Sequence, residues 1–326
     1  MKKILDSLLF LFIFTSGYSQ IDEDFEGASV PTAGVWTLSS GDWLTFDNGV
    51  GPVANWVPSS AANANQGVRA AEVLRGFNSG PIPSTSEDWL VMPRKQMRPN
   101  EQLRFFTRQG LNGDSGTLYQ IRVSTNIDPY NLAAYTVFKE YTETELQNIS
   151  TAAPNLFSNY DEAVINMTQT GQQLYIAFVK VHTQTGASLS GDKWLIDDVQ
   201  LALRCIEPTA LGAEQITCSS AKIKWSNPGN ASSFNVEWDF YPFDPGTGAN
   251  TFTTPSGLPN TPENELTFLN ANTEYAYYVQ AVCGPGRTSN WFGPYFFKTK
   301  QTGALCDCPI PINTVPYSDQ SNTNVY

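Results

Sequence analysis

Histidine and cysteine are the scarce residues of this chain, and their absence narrows the chemistry first. Among 326 residues there is one histidine, His182, and none of the five cysteines precedes position 205. One imidazole, in Lys180-Val181-His182-Thr183, cannot build a histidine-rich zinc site. No acid or nucleophile can be placed with it as a triad, so it reads as an ordinary surface or half-buried side chain. Gly-x-Ser-x-Gly, His-Glu-x-x-His and phosphate-cradling glycine loops are all missing, which leaves no covalent chemistry to assign. Basic residues are few as well: 19 Lys and Arg against 31 Asp and Glu give a net charge of −12. That argues against nucleic acid and anionic membrane surfaces as partners, since both demand a basic patch.

Long apolar runs are also lacking. Leu8 to Phe14 is an apolar stretch, but a membrane span needs about 20 such residues, so no membrane insertion of the mature chain is expected. Behind Lys2 and Lys3, and followed by Ser16, Gly17 and Ser19, the stretch reads as an export signal over residues 1–20. No cysteine follows it to carry a lipid anchor. Removing the leader takes away Lys2, Lys3 and Asp6 and leaves the rest one charge more acidic, a balance that suits divalent cations.

What is present is turn and strand chemistry. Charged residues make up 15% of the chain and aromatics 13%, with abundant Thr, Ser, Asn, Gly and Pro, a composition for strands and tight turns rather than helices. The length fits two domains at about 150 residues each. Over residues 21–204, alternating segments bounded by Gly, Pro, Asn or Asp read as strands: Trp43 to Phe46, Asp88 to Met92, Leu103 to Phe106, Tyr119 to Val123, Leu174 to Val179 and Trp194 to Leu203. Asn131 to Phe138 and Thr144 to Ile149 read as short helical turns. Many strands with irregular loops predict a jelly-roll β-sandwich. Residues 205–300 carry seven short strands, an immunoglobulin-like count. Residues 301–326, with Cys306-Asp307-Cys308-Pro309, are too short to fold alone and read as a linker and the start of a third module. The expected fold class is all-β throughout.

The first domain opens with Asp22-Glu23-Asp24-Phe25-Glu26-Gly27, continues through Glu87-Asp88-Trp89-Leu90-Val91-Met92-Pro93, and closes with Asp192-Lys193-Trp194-Leu195-Ile196-Asp197-Asp198-Val199. This set resembles the cleaved-adhesin, or choice-of-anchor J, modules of secreted Bacteroidetes proteins, which are jelly rolls related to MAM-type extracellular domains. The first and last strands of such a sandwich lie side by side, which would bring Asp24 and Glu26 near Asp197 and Asp198. Four carboxylates cannot gather uncompensated at neutral pH. A hard cation with oxygen ligands resolves the repulsion, Ca²⁺ suits such a set, and the resemblance also implies calcium. Strand alternation puts Asp197 and Asp198 on opposite faces, so one of the two is expected to point at the metal. The alternative is that these acids are solvated edge-strand charges.

Trp89 and Trp194 lie in apolar alternating strands and read as core. Trp56, in a polar loop before Pro58, is the candidate for ligand contact, with simple coverage of the core as the alternative.

In the second domain, Leu269-Asn270-Ala271-Asn272-Thr273-Glu274-Tyr275 resembles the Leu-x-Pro-x-Thr-x-Tyr corner of fibronectin type III domains, with Ala271 in place of proline. Tyr275 would bury its ring and bond its hydroxyl back to the backbone, and Trp225 would be the core tryptophan. Strand direction in such a sandwich places Cys205 beside Cys283 at one pole and Cys218 beside Cys306 at the other, with Cys308 left over. A Cys-x-Cys redox or metal pair is the alternative for Cys306 and Cys308, although two thiols without a nearby histidine suit zinc poorly. The loop from Gly284 to Asn290 contains no Arg-Gly-Asp.

These features point to a secreted or bacterial cell-surface binding protein of adhesion type, not an enzyme, with an extracellular protein or glycan as partner. Its contacts would come from the loops Asn55–Gln66 and Thr183–Asp192 on a rigid scaffold. The resemblance implies export by the Bacteroidetes route that ends at the cell surface. The alternative is a set of accessory, carbohydrate-binding modules of a larger secreted hydrolase or peptidase.

Overall fold

The computed structural model describes residues 19–303 except 32–33, 52–54, 77–81, 150–157, 187–190, 230, 248–249, 256–260 and 285–286. The chain divides into two compact units, Met1–Arg204 and Cys205–Tyr326. Both are built from antiparallel sheets.

The leading unit has thirteen described strands. They begin with β1 (Ser19–Glu23), β2 (Val35–Leu38), β3 (Gly41–Asp47), β4 (Val57–Pro58), β5 (Ala71–Val73), β6 (Ser84–Val91) and β7 (Lys95–Gln96). They continue with β8 (Glu101–Gln109), β9 (Thr117–Ser124), β10 (Thr136–Thr142), β11 (Asp161–Asn166), β12 (Gln173–Gln184) and β13 (Trp194–Leu203). One sheet runs β11-β8-β13-β5-β4 with β1 also on β13, and the other runs β10-β9-β12-β6-β3-β2 with β7 also on β12. Period-two alternation sends Trp43, Leu90, Ile121, Ile176 and Phe178 inward, where they meet Phe105, Trp194, Ile196 and Val199 in one core. The opposite face of the second sheet is apolar too: Trp89, Val91, Ala177 and Val179 are buried there with Tyr135 from the connection between β9 and β10. Burial on both faces accounts for the unbroken apolar stretches Trp89–Val91 in β6 and Leu174–Val179 in β12, where simple alternation was expected. Trp89 is thus core, but on the outer face, with the Arg122 guanidinium 4.8 Å from its ring centroid.

Two short helical segments were expected here. The first holds only a 3₁₀ turn at Leu132–Ala134 before β10 begins, because Thr136 to Thr142 pair with β9. The second is α1 (Glu143–Gln147), closed by a capping box in which Thr142 and Glu145 satisfy each other's backbone N–H.

The second unit contains β14 (Thr209–Glu214), β15 (Ala221–Ser226), β16 (Ser233–Phe240), β17 (Asn250–Thr253), β18 (Glu263–Leu266), β19 (Glu274–Gly284), β20 (Arg287–Thr288) and β21 (Phe292–Lys298). Its sheets are β14-β15-β18 and β17-β16-β19, with β20 and β21 both on β19. Trp225 is 1% exposed and packs edge-on to Phe234 at 5.6 Å. Tyr275 is buried, and its hydroxyl accepts the Asn270 N–H at 2.9 Å, so the chain corner forms with Ala271 where proline was lacking. Cys205 and Cys283 form a disulfide with α-carbons 5.6 Å apart. Cys218 is half-buried, whereas Cys306, Cys308 and the expected third module lie outside the described residues.

Candidate functional site

β1 and β13 pair antiparallel, with Glu23 opposite Val199, so the turn after β1 begins beside Asp198. Along the same edge of β13, β5 occupies Trp194 to Ile196. Asp197 and Asp198 therefore stand at the seam where one neighbour gives way to the other. On the opposite edge the register with β8 shifts between Asp197 and Gln200, and Asp198 adopts a positive φ of 48°. This is a β-bulge, which adds a residue and re-aims side chains.

The bulge corrects the alternation argument. Asp197 Oδ2 accepts the Asn65 backbone N–H at 2.9 Å, and Asp198 Oδ2 accepts from the Asn65 side-chain amide at 3.0 Å. Both closing aspartates thus reach one residue rather than opposite faces. Asp197 Oδ1 also takes the Asp198 N–H at 2.9 Å. Asp24 Oδ1 accepts the Glu26 N–H at 3.0 Å, and Glu26 Oε1 accepts from Val68 at 2.7 Å and Arg69 at 3.0 Å. Gly67 lies against this carboxylate at φ +66°, where an added β-carbon would sit 2.1 Å from Glu26 Oε1. Only glycine fits there.

Sequence reasoning missed two residues of this arrangement. Asn65 ties the bulge to the 61–70 segment, and its signal was the Asn-Gln-Gly turn at the end of a loop already singled out. Glu23 is 2% exposed and anchors the opening turn by accepting from Phe25 N, Ser39 Oγ, Ser40 N and Ser40 Oγ.

The electrostatics are those of crowded anions. Burial pushes Asp197 up to about 7, with the charge of Asp198 adding to the rise. Burial also raises Asp198, and the charges of Asp24, Asp22 and Glu26 act on it in the same direction. Among the described residues no lysine or arginine forms an ion pair with any of the four acids, and no three His, Cys, Asp or Glu side chains are grouped so as to grip a metal by themselves. Asp197 and one oxygen each of Asp24, Glu26 and Asp198 already serve the backbone and Asn65. Asp24 Oδ2, Glu26 Oε2 and Asp198 Oδ1 take no part in these bonds.

A raised carboxylate pKa favours the folded state while protonated. The folded chain keeps a proton on Asp197 between 3.8 and about 7 that the unfolded chain has lost. In chelator, stability should therefore be greatest at the acid end of that window and decline as pH rises through it. Urea midpoints across the window should show this slope, and Asp197→Asn should flatten it.

Trp56 is not at a ligand surface. It is fully buried, its ring lies 5.4 Å from that of Trp194, and its indole N–H donates to the Asp88 carbonyl at 3.3 Å. The polar loop around it folds inward because Thr45 Oγ1 accepts the Trp56 backbone N–H at 3.2 Å. His182 is likewise buried, at 3% exposure, rather than at the surface or half-buried. Of the two expected contact loops, Asn55–Gln66 buries Trp56 and Ser59 but exposes Asn55, Ser60, Ala61, Ala62 and Gln66, and residues 187–190 of the other lie outside the described residues. So does the expected leader through residue 18, whereas Ser19 and Gln20, also assigned to it, extend β1 because β13 continues to Leu203 and offers Ala202 as partner. Among the described residues no helix is long and apolar enough to cross a membrane.

No protein-family model and no curated protein matches the sequence. Among solved structures, the chain is similar to the K2 cleaved adhesin domain of Lys-gingipain at 15% identity, covering 56% of this chain and 97% of that one, with a TM-score of 0.37. The K1 cleaved adhesin domain of Lys-gingipain from Porphyromonas gingivalis W83 gives 17% identity over 56% and 98% of the two chains, with a TM-score of 0.37. A fibronectin type III domain of human collagen XX gives 23% identity over 30% and 96%, with a TM-score of 0.23.

Proposed function

We propose that this chain is a secreted or cell-surface, non-catalytic binding protein of adhesion type. In this reading a calcium-braced, choice-of-anchor J-like jelly roll is followed by a fibronectin type III-like sandwich. The observation that carries the reading is the convergence of the opening acids Asp24 and Glu26 on the bulge at Asp197 and Asp198, where no lysine or arginine among the described residues is ion-paired to them. Asp24, Glu26 and Asp198 would hold the ion, and Asp197 would set Asn65 and the bulge in place. The bound ion would supply charge neutralisation, fixing β1 against β13 and stiffening the pole. The Cys205–Cys283 disulfide supports an oxidising, extracellular setting. On such a scaffold, exposed loops would contact an extracellular protein or glycan.

The test joins stability to binding. EDTA is expected to lower the melting temperature of the leading unit in the full chain, calcium to restore it, and Asp198→Ala to remove the difference. The same chain should bind saturably to at least one member of a panel of immobilised matrix proteins and glycans, and lose that binding in EDTA. A melt indifferent to chelator would remove the metal from the proposal, and a blank panel would remove the adhesive role.

A further inference from the structure

Between the sheets of the leading unit stand a nucleophile and an electrophile for which the proposed function has no use. Lys180 on β12 and Asp88 on β6 are direct cross-strand partners. Alternation places Lys180 on the face that carries Ile176 and Phe178, and Asp88 on the face that carries Leu90, so both side chains enter the core. Lys180 Nζ lies 3.1 Å from Asp88 Oδ2, and the two side chains are 2% and 5% exposed. Nζ also donates to the Leu74 carbonyl, just beyond β5 of the opposite sheet. The Asp88 backbone is held in turn by the Trp56 indole at 3.3 Å.

Burial acts on this pair in one direction. It lowers the Lys180 pKa and raises that of Asp88, shifting both toward the uncharged amine and acid. An uncharged buried lysine is a nucleophile, and fixed contact converts an encounter between two molecules into an intramolecular one. Two charges held in the core carry a desolvation penalty that a neutral linkage would not. A further carboxyl, Asp192, is fully buried, is raised by burial, and acts electrostatically on Lys180. It keeps a second buried carboxyl within electrostatic reach of the Lys180 ammonium.

We propose that Lys180 and Asp88 condense to an intramolecular amide, so that β12 and β6 become covalently joined. The ammonium passes a proton to the carboxylate, and the freed Nζ lone pair attacks Cγ of Asp88. The tetrahedral centre then collapses: the N–C bond stays, one C–O bond breaks, and that oxygen leaves as water with one proton from nitrogen and one from the acid. No oxidant, reductant or co-reactant is needed. The product would join two neighbouring strands of the second sheet covalently.

Intact-mass spectrometry of the purified full chain, with disulfides reduced and the termini established by peptide mapping, tests this directly. The folded protein is expected to be lighter than its sequence by the mass of one water, and digestion should yield one branched peptide containing both Lys180 and Asp88. Lys180→Arg keeps the positive charge but should show the full mass and no branched peptide. A folded wild-type chain at unmodified mass would overturn the proposal. So would a water deficit that persists in Lys180→Arg, because the dehydration would then lie elsewhere. The wild-type measurement decides the matter even if the variant folds poorly.

Discussion

Trp56→Ala is expected to destabilise the leading sandwich by about 3–5 kcal/mol, the usual cost of truncating a fully buried tryptophan. Trp56 is 0% exposed and packs against Trp194, so the surrounding strands can collapse only partly into the space it leaves. The substitution also removes the indole donor to the Asp88 carbonyl, leaving a buried acceptor short of a partner. For a unit of this size the loss corresponds to a fall of roughly 6–20 °C in melting temperature. Differential scanning calorimetry of the full chain reads it, with the second unit's transition as internal reference. An unchanged melt would return Trp56 to the surface role that its polar loop suggested.

Breaking the Cys205–Cys283 bridge should have an effect of similar size on the other unit. The bond closes a loop of sequence separation 78, and constraint of the unfolded chain over such a loop is worth about 4 kcal/mol. Cys283 is 1% exposed in the core, so Cys283→Ser also places a hydroxyl where sulfur packed, whereas reduction by a thiol leaves the side chain in place. Reduction is expected to lower the melting temperature of the second unit by roughly 15–30 °C. The leading unit has no cysteine before position 205, so its transition should not move. If both transitions are insensitive to reductant, the bridge does not constrain the fold.

The two outcomes differ in how legible they were. The Cys205–Cys283 disulfide followed from strand direction in the fibronectin type III-like sandwich that the Leu269 to Tyr275 corner resembles, because such a sandwich fixes which strand ends share a pole. Tyr275 and Trp225 were equally readable, since the Leu269 to Tyr275 spacing encodes a local corner whose hydroxyl bond spans only five residues. The side-by-side placement of β1 and β13 came from the same kind of reasoning about where a sandwich begins and ends. Trp56 was misread because nothing in a polar loop announces that it folds inward. Its burial depends on Thr45, Asp88 and Trp194, each from a different strand. Asp197 and Asp198 were misread for a related reason: alternation holds until a bulge interrupts it, and this one is set by pairing with two neighbours at once.

What the sequence by itself determined is the all-β class, the strand segments, the surplus of carboxylates at the two ends of the leading unit, and the cysteine-poor and cysteine-bearing halves. These are properties of composition and short-range periodicity, which any strand must satisfy locally. Only the tertiary structure decided that both closing aspartates meet Asn65, that Trp56 and His182 are buried, and that Lys180 faces Asp88 inside the core. Those contacts join residues tens to more than a hundred positions apart. Register, bulge and sheet packing choose such partners, and no local pattern carries that information.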